Sequence, residues 1–552
     1  MLPSTWHYNS QQRLFSSSSD TNSPQDNNSS EEGIFADSSV TFESMGITSP
    51  ILLKRLQRLG LERPTAVQAA AFESLSTLPR TDLTIGAETG SGKSFAYLLP
   101  ILDDILQQKQ QRHDDNKNSD DHNDSDEMVA EISGHVYARA MILVPNKELV
   151  QQVARMAMSL SGGIASLVEG NIGGAVLDQL PKETGVAPHE IVRIAIMPGG
   201  LKEPNDFVPF RKAVMGTEEP VDLVISTPAA VGFLGLNPKN INMFADIETL
   251  VLDEADMLLD GGYIRPLEQV LLGFRRADKL DAMHEVPRTQ HVFVAATLPD
   301  FGLRSVDAYL QRKFPRATRV TLDGMHNARH YGLSEPTLWV ESETKKERLE
   351  YFRELLDKSP SEGGLQGQKV MLFVNSVDDV EGVSGALEQS GVNALPYHAK
   401  MELSERTLNL DRFRRYNNNP AESGKEEDKA VPILVCTDLA ARGVDIPGVR
   451  AIVQLQFAGN VVAHLHRMGR CGRAGQRTGR GIVFYNEKER ELVQVVQDAE
   501  EQQEKMTLKG QDVLELDEEG NPIKAGTVKN AFSRKRAFTK KRKKERREAP
   551  QS

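Results

Sequence analysis

Cysteine is almost missing from this chain of 552 residues, which has only Cys436 and Cys471. Two thiols make neither a disulfide framework nor a cysteine-rich zinc site, and such scarcity fits a reducing compartment. Long apolar runs are missing as well. No stretch approaches the roughly 20 residues that cross a bilayer, so no membrane partner is expected. The N-terminus lacks the apolar core of a secretory signal. Positive charge in excess is also absent, the formal net charge being -12. That average conceals segregation. Between Arg534 and Arg547, ten lysines and arginines accompany one acid, Glu545, so this stretch carries +9 and the remainder -21. A basic run this dense attracts phosphates. What is present is ordinary for a globular chain, with 39% hydrophobic and 26% charged residues.

The pattern divides the chain. Residues 1–39 are rich in Ser, Asn and Asp and are expected to be disordered. Within them, Arg13-Leu14-Phe15 followed by serines resembles the cleavage region of a mitochondrial presequence, which implies a mitochondrion or other organelle. A first domain is expected over 40–323, with apolar strands at Leu83-Ile85, Ala140-Val144, Ile191-Met197, Leu223-Ile225, Leu250-Leu252 and Val292-Val294. Residues 324–334 read as a linker. A second domain is expected over 335–490, with strands at Val370-Val374, Ile433-Val435, Ile452-Val453 and Ile482-Phe484. Continuous apolar strands separated by helical stretches indicate parallel sheets covered on both faces, an α/β class. Residues 107–133, crowded with Asp, Asn, Gln and His, read as a disordered acidic insertion, and Asn417–Asp428 as a shorter one. A charged helix and the basic tail are expected over 491–552.

Three segments carry chemistry. Ala87-Glu88-Thr89-Gly90-Ser91-Gly92-Lys93-Ser94 follows a strand and precedes an apolar helix. Gly90 and Gly92 let backbone N–H groups wrap a phosphate, Lys93 neutralises the β- and γ-phosphates, and Ser94 offers a hydroxyl to Mg2+. The first glycine of the strict pattern is replaced by Ala87. Asp253-Glu254-Ala255-Asp256 ends the apolar run Leu250-Val251-Leu252. Asp253 is placed to hold magnesium, and Glu254 to orient and deprotonate a water. His466-Arg467-Met468-Gly469-Arg470-Cys471-Gly472-Arg473 lies in the second domain. Arg470 and Arg473, three apart, suit phosphate oxygens that gain charge in a transition state. Hydrolysis would then require the two domains to close.

Together these segments resemble the DEAD-box ATP-dependent RNA helicases, over roughly Thr41 to Tyr485. The resemblance implies two tandem RecA-like domains, each a parallel sheet with helices on both faces. It implies ATP and Mg2+ as ligands and RNA as partner. Phe42 and Gln68, ahead of and within Gly60-Leu61-Glu62-Arg63-Pro64-Thr65-Ala66-Val67-Gln68, would receive adenine, and Asp445 the ribose. His466 would join the catalytic set. RNA contacts are implied for Pro145, Lys147, Gly200, Thr227, His398, Arg406 and Thr437. The chain also departs from the family pattern. Pro-Thr-Arg-Glu-Leu stands here as Pro145-Asn146-Lys147-Glu148-Leu149, Thr-Pro-Gly-Arg as Thr227-Pro228-Ala229-Ala230, and Ser-Ala-Thr as Ala295-Ala296-Thr297. The serine hydroxyl missing at Ala295 would have linked the ATP and RNA sites through Asp256.

The leading reading is an RNA-stimulated ATPase that locally separates short duplexes through backbone contacts without sequence preference. A second is an ATP-gated RNA clamp or assembly factor with little unwinding, favoured by Ala295. A DNA translocase is disfavoured by the RNA-type motifs. Ribosomal RNA or a pre-ribosomal particle is the RNA target expected by analogy, and the chain is expected to be a monomer.

Overall fold

The apolar runs assemble into two parallel sheets. The computed structural model describes residues 35–76, 80–87, 90–119, 138–161, 164–167, 187, 190–197, 221–238, 241–245, 247–259, 263–280, 289–296, 306–321, 333–416, 432–440, 446, 448–459, 461–471, 479–494, 496–498 and 500. The first domain contains β1 (Leu83–Gly86), β2 (Ala140–Leu143), β3 (Ile164–Leu167), β4 (Arg193–Met197), β5 (Leu223–Ser226), β6 (Thr249–Leu252), β7 (Gln290–Ala295) and β8 (Thr318–Thr321). They pair in the order β3-β4-β5-β2-β6-β7-β1-β8, each pair parallel. The second contains β9 (Leu338–Glu341), β10 (Val370–Phe373), β11 (Leu395–Tyr397), β12 (Ile433–Cys436), β13 (Ala451–Gln454) and β14 (Arg480–Tyr485). Their order is β11-β12-β10-β13-β14-β9, again all parallel.

Successive side chains of a strand face opposite ways, and both faces here are covered. On β7, Val292 and Val294 join one core with Ile85, Ile142 and Val251, while Phe293 and Ala295 join another with Met141, Leu143 and Leu252. Helices Ala66–Ser76, Lys93–Ser119 and Lys147–Ser161 contribute to the first of these layers. Helices Pro228–Leu236 and Ile264–Leu280 contribute to the second. These last two pack so closely that a Cβ on Gly235 would lie 2.0 Å from the backbone oxygen of Gln269.

One boundary needs correction. The helix that begins at Lys93 runs to Ser119, so the first half of the expected disordered insertion is helical. Side chains four apart sustain it: Gln107 donates to Asp103 at 2.6 Å, Gln108 to Asp104 at 3.0 Å and Gln110 to Asp114 at 3.1 Å. Lys109 also pairs with Asp222 at 2.7 Å. Residues 120–133, the insertion at 417–428, the presequence-like segment and the basic tail lie outside the described residues. At the other end, Val493 and Val496 are buried, and Glu500 accepts from Thr337 Oγ1 (3.0 Å) and Trp339 Nε1 (3.1 Å), so the described residues between 491 and 500 pack on the second domain. Among the described residues no helix is long and apolar enough to cross a membrane.

Candidate active site between the two domains

The carboxyl ends of β1, β6 and β7 meet at one crevice, where open parallel sheets receive ligands. After β1, Ala87 donates its N–H to the oxygen of Ala295 at 3.3 Å. The chain turns through Gly90 (φ 87°) and Gly92 (φ 89°) and enters the helix at Lys93. Such left-handed backbone suits glycine, and at Gly92 space demands it as well, since a Cβ would lie 2.4 Å from Gln68 Nε2. Gln68 accepts from the Thr65 N–H (3.0 Å) and donates to the Gly92 oxygen (3.3 Å), so it braces the loop. Ser91 is buried, and Phe42 packs into the adjoining core with 6% of its surface exposed. Glu88 and Thr89 lie outside the described residues.

β6 delivers the carboxylates. Asp253 accepts the Glu254 N–H on Oδ1 and the Tyr97 hydroxyl on Oδ2, both at 2.8 Å. Tyr97 also hydrogen-bonds Ser94, so its hydroxyl stands between the two residues expected to hold magnesium. Sequence reasoning missed Tyr97; its position one helical turn beyond Lys93 is the signal that marks it. Burial, then the Glu254 charge, pushes the Asp253 carboxyl up to about 6, against the opposing pull of Tyr97, the Glu254 amide and Lys93. Burial lowers the Lys93 ammonium, with Arg470 adding to the shift, while Glu254, Asp253 and Asp256 oppose it. Burial lifts the Tyr97 phenol well above its ordinary range. Glu254 holds φ at 51°, alone among the described non-glycine residues in the left-handed region. Its Oε2 is buried with no hydrogen-bond partner among the described residues. Backbone strain and an orphaned acceptor at one residue mark a site built for a ligand or water.

The second domain completes the crevice. His466 Nε2 lies 3.4 Å from Asp256 Oδ2 and 3.9 Å from Glu254 Oε2, and these three residues form a cluster of metal-ligand type. Arg470 is 4% exposed and donates through Nε to the His466 oxygen at 3.4 Å. Ala295 is buried, and His466 stands beside the Asp256 carboxylate that a serine at 295 would have served. Arg473 and Asp445 lie outside the described residues.

The expected RNA contacts fall into distinct settings. Lys147 is exposed at the start of its helix, behind buried Pro145, and Asn146 caps that helix by accepting the Leu149 N–H at 2.9 Å. Thr227 caps helix Pro228–Leu236 by accepting from Ala230 at 3.3 Å. Thr437 is half-buried after β12. His398 is buried and bonded to Glu381 at 2.5 Å. Arg406 is buried and pairs across the domains with Glu148 at 2.5 Å. Gly200 lies outside the described residues. Arg467, unassigned from the sequence, is fully buried and ties three motif segments together. It donates to Asp438 at 2.5 Å, to Asn375 at 2.7 Å and to the Gln456 oxygen at 2.9 Å.

Known proteins resemble this chain in sequence and in fold. Residues 65–203 match the family model described as DEAD/DEAH box helicase, and residues 347–475 match the helicase conserved C-terminal domain. DEAD-box ATP-dependent RNA helicase 22 of Oryza sativa subsp. japonica is 29% identical, over 93% of this chain and 85% of its own length. The Arabidopsis thaliana protein of the same name is 26% identical, over 92% and 84%. Among solved structures, Mss116p bound to single-stranded RNA and AMP-PNP has a TM-score of 0.59 at 18% identity, covering 85% of this chain and 79% of its own. S. cerevisiae Dbp5 bound to RNA and ADP BeF3 has a TM-score of 0.56 at 19% identity, covering 83% and 93%.

Proposed function

The chain belongs to the DEAD-box helicase family, and we propose that it is an ATP-dependent RNA helicase whose hydrolytic site is completed by closure of its two domains. The observation that carries this reading is the placement of His466 and Arg470, from the second domain, against Glu254, Asp256 and Lys93 of the first. The residues fit ATP with magnesium: a bare glycine loop, a cation at Lys93 and an orphaned acceptor on Glu254. Ser94 and Asp253 would hold the ion, which when bound screens phosphate charge and polarises the bond to be broken. Lys93 would neutralise the β- and γ-phosphates. Glu254 Oε2 would orient the attacking water and take its proton. Arg470 and Arg473 would meet the charge that grows on the γ-phosphate. Phe42 and Gln68 would receive the base and Asp445 the ribose.

RNA would lie along Pro145, Lys147, Gly200, Thr227, His398, Arg406 and Thr437, bound through its backbone. The run Arg534–Arg547 would add phosphate contacts and supports a ribosomal or pre-ribosomal RNA as the target. Both halves of the site come from one chain, which supports a monomer. RNA-stimulated ATP turnover and duplex unwinding, measured on wild type and Lys93→Ala, test the reading. The variant is expected to lose at least about a hundredfold in turnover; turnover within twofold of wild type would remove the phosphate site. Ala295 favours a second reading, the ATP-gated clamp, and a wild type that consumes ATP on RNA without separating duplexes would support it.

A further inference from the structure

Helices Lys147–Ser161 and Leu403–Arg415 face each other across the two domains, beside the Glu148–Arg406 pair. A cavity of about 40 Å³ lies between them, lined in part by Glu148, Arg155, Tyr397, Arg406 and Arg414. That is room for more than one water, each of which needs about 10–15 Å³. Three guanidinium groups line it, and the one carboxylate among its lining residues, Glu148, already serves Arg406. Asp411 reaches Arg414 at 3.3 Å, but this pair is partly exposed and therefore weak. The Nε groups of Arg155 and Arg406 are buried without a hydrogen-bond acceptor among the described residues.

An arginine does not escape this situation by losing its proton. Burial, then the Arg414 charge, disfavours the charged form of Arg155. Closing the domains therefore brings like charges from opposite sides into a half-buried space, where repulsion is stronger than in water. Orphaned donors and excess positive charge call for the same remedy, a compact group with several acceptor oxygens. We propose that this crevice binds a phosphate-type oxyanion, that it forms only when the domains close, and that its occupancy favours the closed state. The oxyanion is either a backbone phosphate of bound RNA or a free phosphate-class anion. The inference rests on the domain closure proposed above.

Fluorophores on the two domains report closure by energy transfer, with a saturating non-hydrolysable ATP analogue filling the phosphate loop. Inorganic sulfate at constant ionic strength is the probe. Without RNA, the closed fraction of wild type is expected to rise saturably with sulfate. Arg155→Gln is expected to close more readily in the absence of sulfate and to lose the response. Arg414→Gln, in the other domain, gives the same test should the first variant not fold. If the ligand is an RNA phosphate, saturating RNA abolishes the sulfate response, and Arg155→Gln lowers the slope of log RNA affinity against log salt by about 0.7. If it is a free anion, the sulfate response survives with RNA bound and the slope is unchanged. An equal sulfate response in wild type and both variants, or variants that close less readily than wild type, would overturn the site. A wild type that never closes on nucleotide and RNA would instead remove the functional reading beneath it.

Discussion

The Tyr97 hydroxyl, 2.8 Å from Asp253 Oδ2, pulls down a carboxyl that burial and Glu254 lift to about 6. Tyr97→Phe deletes that donor, so the Asp253 pKa should rise further. The ionised form, which the proposed metal role of Asp253 requires, is then lost at a higher pH. The acidic limb of kcat/KM against pH is expected to move to higher pH in the variant, and a limb in the same place would show that this hydrogen bond tunes nothing. His464 offers a test on stability. Burial, then Arg467, holds its ring down to about 3, and Gln454 donates to its Nδ1 at 2.8 Å, which requires the neutral form. Its folded pKa lies below the unfolded value of 6.5, so the unfolded chain takes up the proton first. Stability from this group is present above that pH and is lost as pH falls toward about 3. Chemical denaturation of His464→Gln across this window should show a shallower decline than wild type, by at most about 1.4 kcal/mol per pH unit.

Among the elements, the helix pair Pro228–Leu236 and Ile264–Leu280 depends on a missing side chain. Gly235→Ala would drive a methyl group to 2.0 Å from the Gln269 oxygen. Overpacking of this kind costs about 1–3 kcal/mol, to be read as a lowered denaturation midpoint; a midpoint equal to wild type would mean the helices part without cost. Ten of the fourteen described strands correspond to apolar runs visible in the sequence, and eight of those ten are buried at every position. The four that escaped notice are β3, β8, β9 and β11, and these are the two edges of each sheet. β8 shows why: in Thr318–Thr321 only Val320 is buried, so the edge never forms a continuous apolar run. The extension of the Lys93 helix through Gln107 and Gln110 was hidden for a different reason. Its polar composition resembles a disordered tract, and only the register of Asp and Gln four apart reveals the ladder.

In the whole molecule, legibility follows distance along the chain. The phosphate loop and the Asp253–Asp256 turn are local, and each reads from a few adjacent residues. The pairs Glu148–Arg406 and Asp256–His466 join opposite domains, and spacing in one dimension gives no access to them. Arg467 was likewise hidden, because its partners Asn375, Gln456 and Asp438 come from separate segments. These cross-domain contacts make the closed state the form in which Glu254, Lys93 and Arg470 meet. Glu254→Gln tests that most directly. The amide keeps the shape but cannot take the proton from water, so ATP and RNA should bind, the domains should close, and hydrolysis should stall. RNA dissociation, followed by fluorescence anisotropy, is then expected to be far slower for this variant in ATP than in ADP, and slower than for wild type in ATP. Equal RNA release in ATP and ADP would contradict a site that holds RNA by closing on ATP.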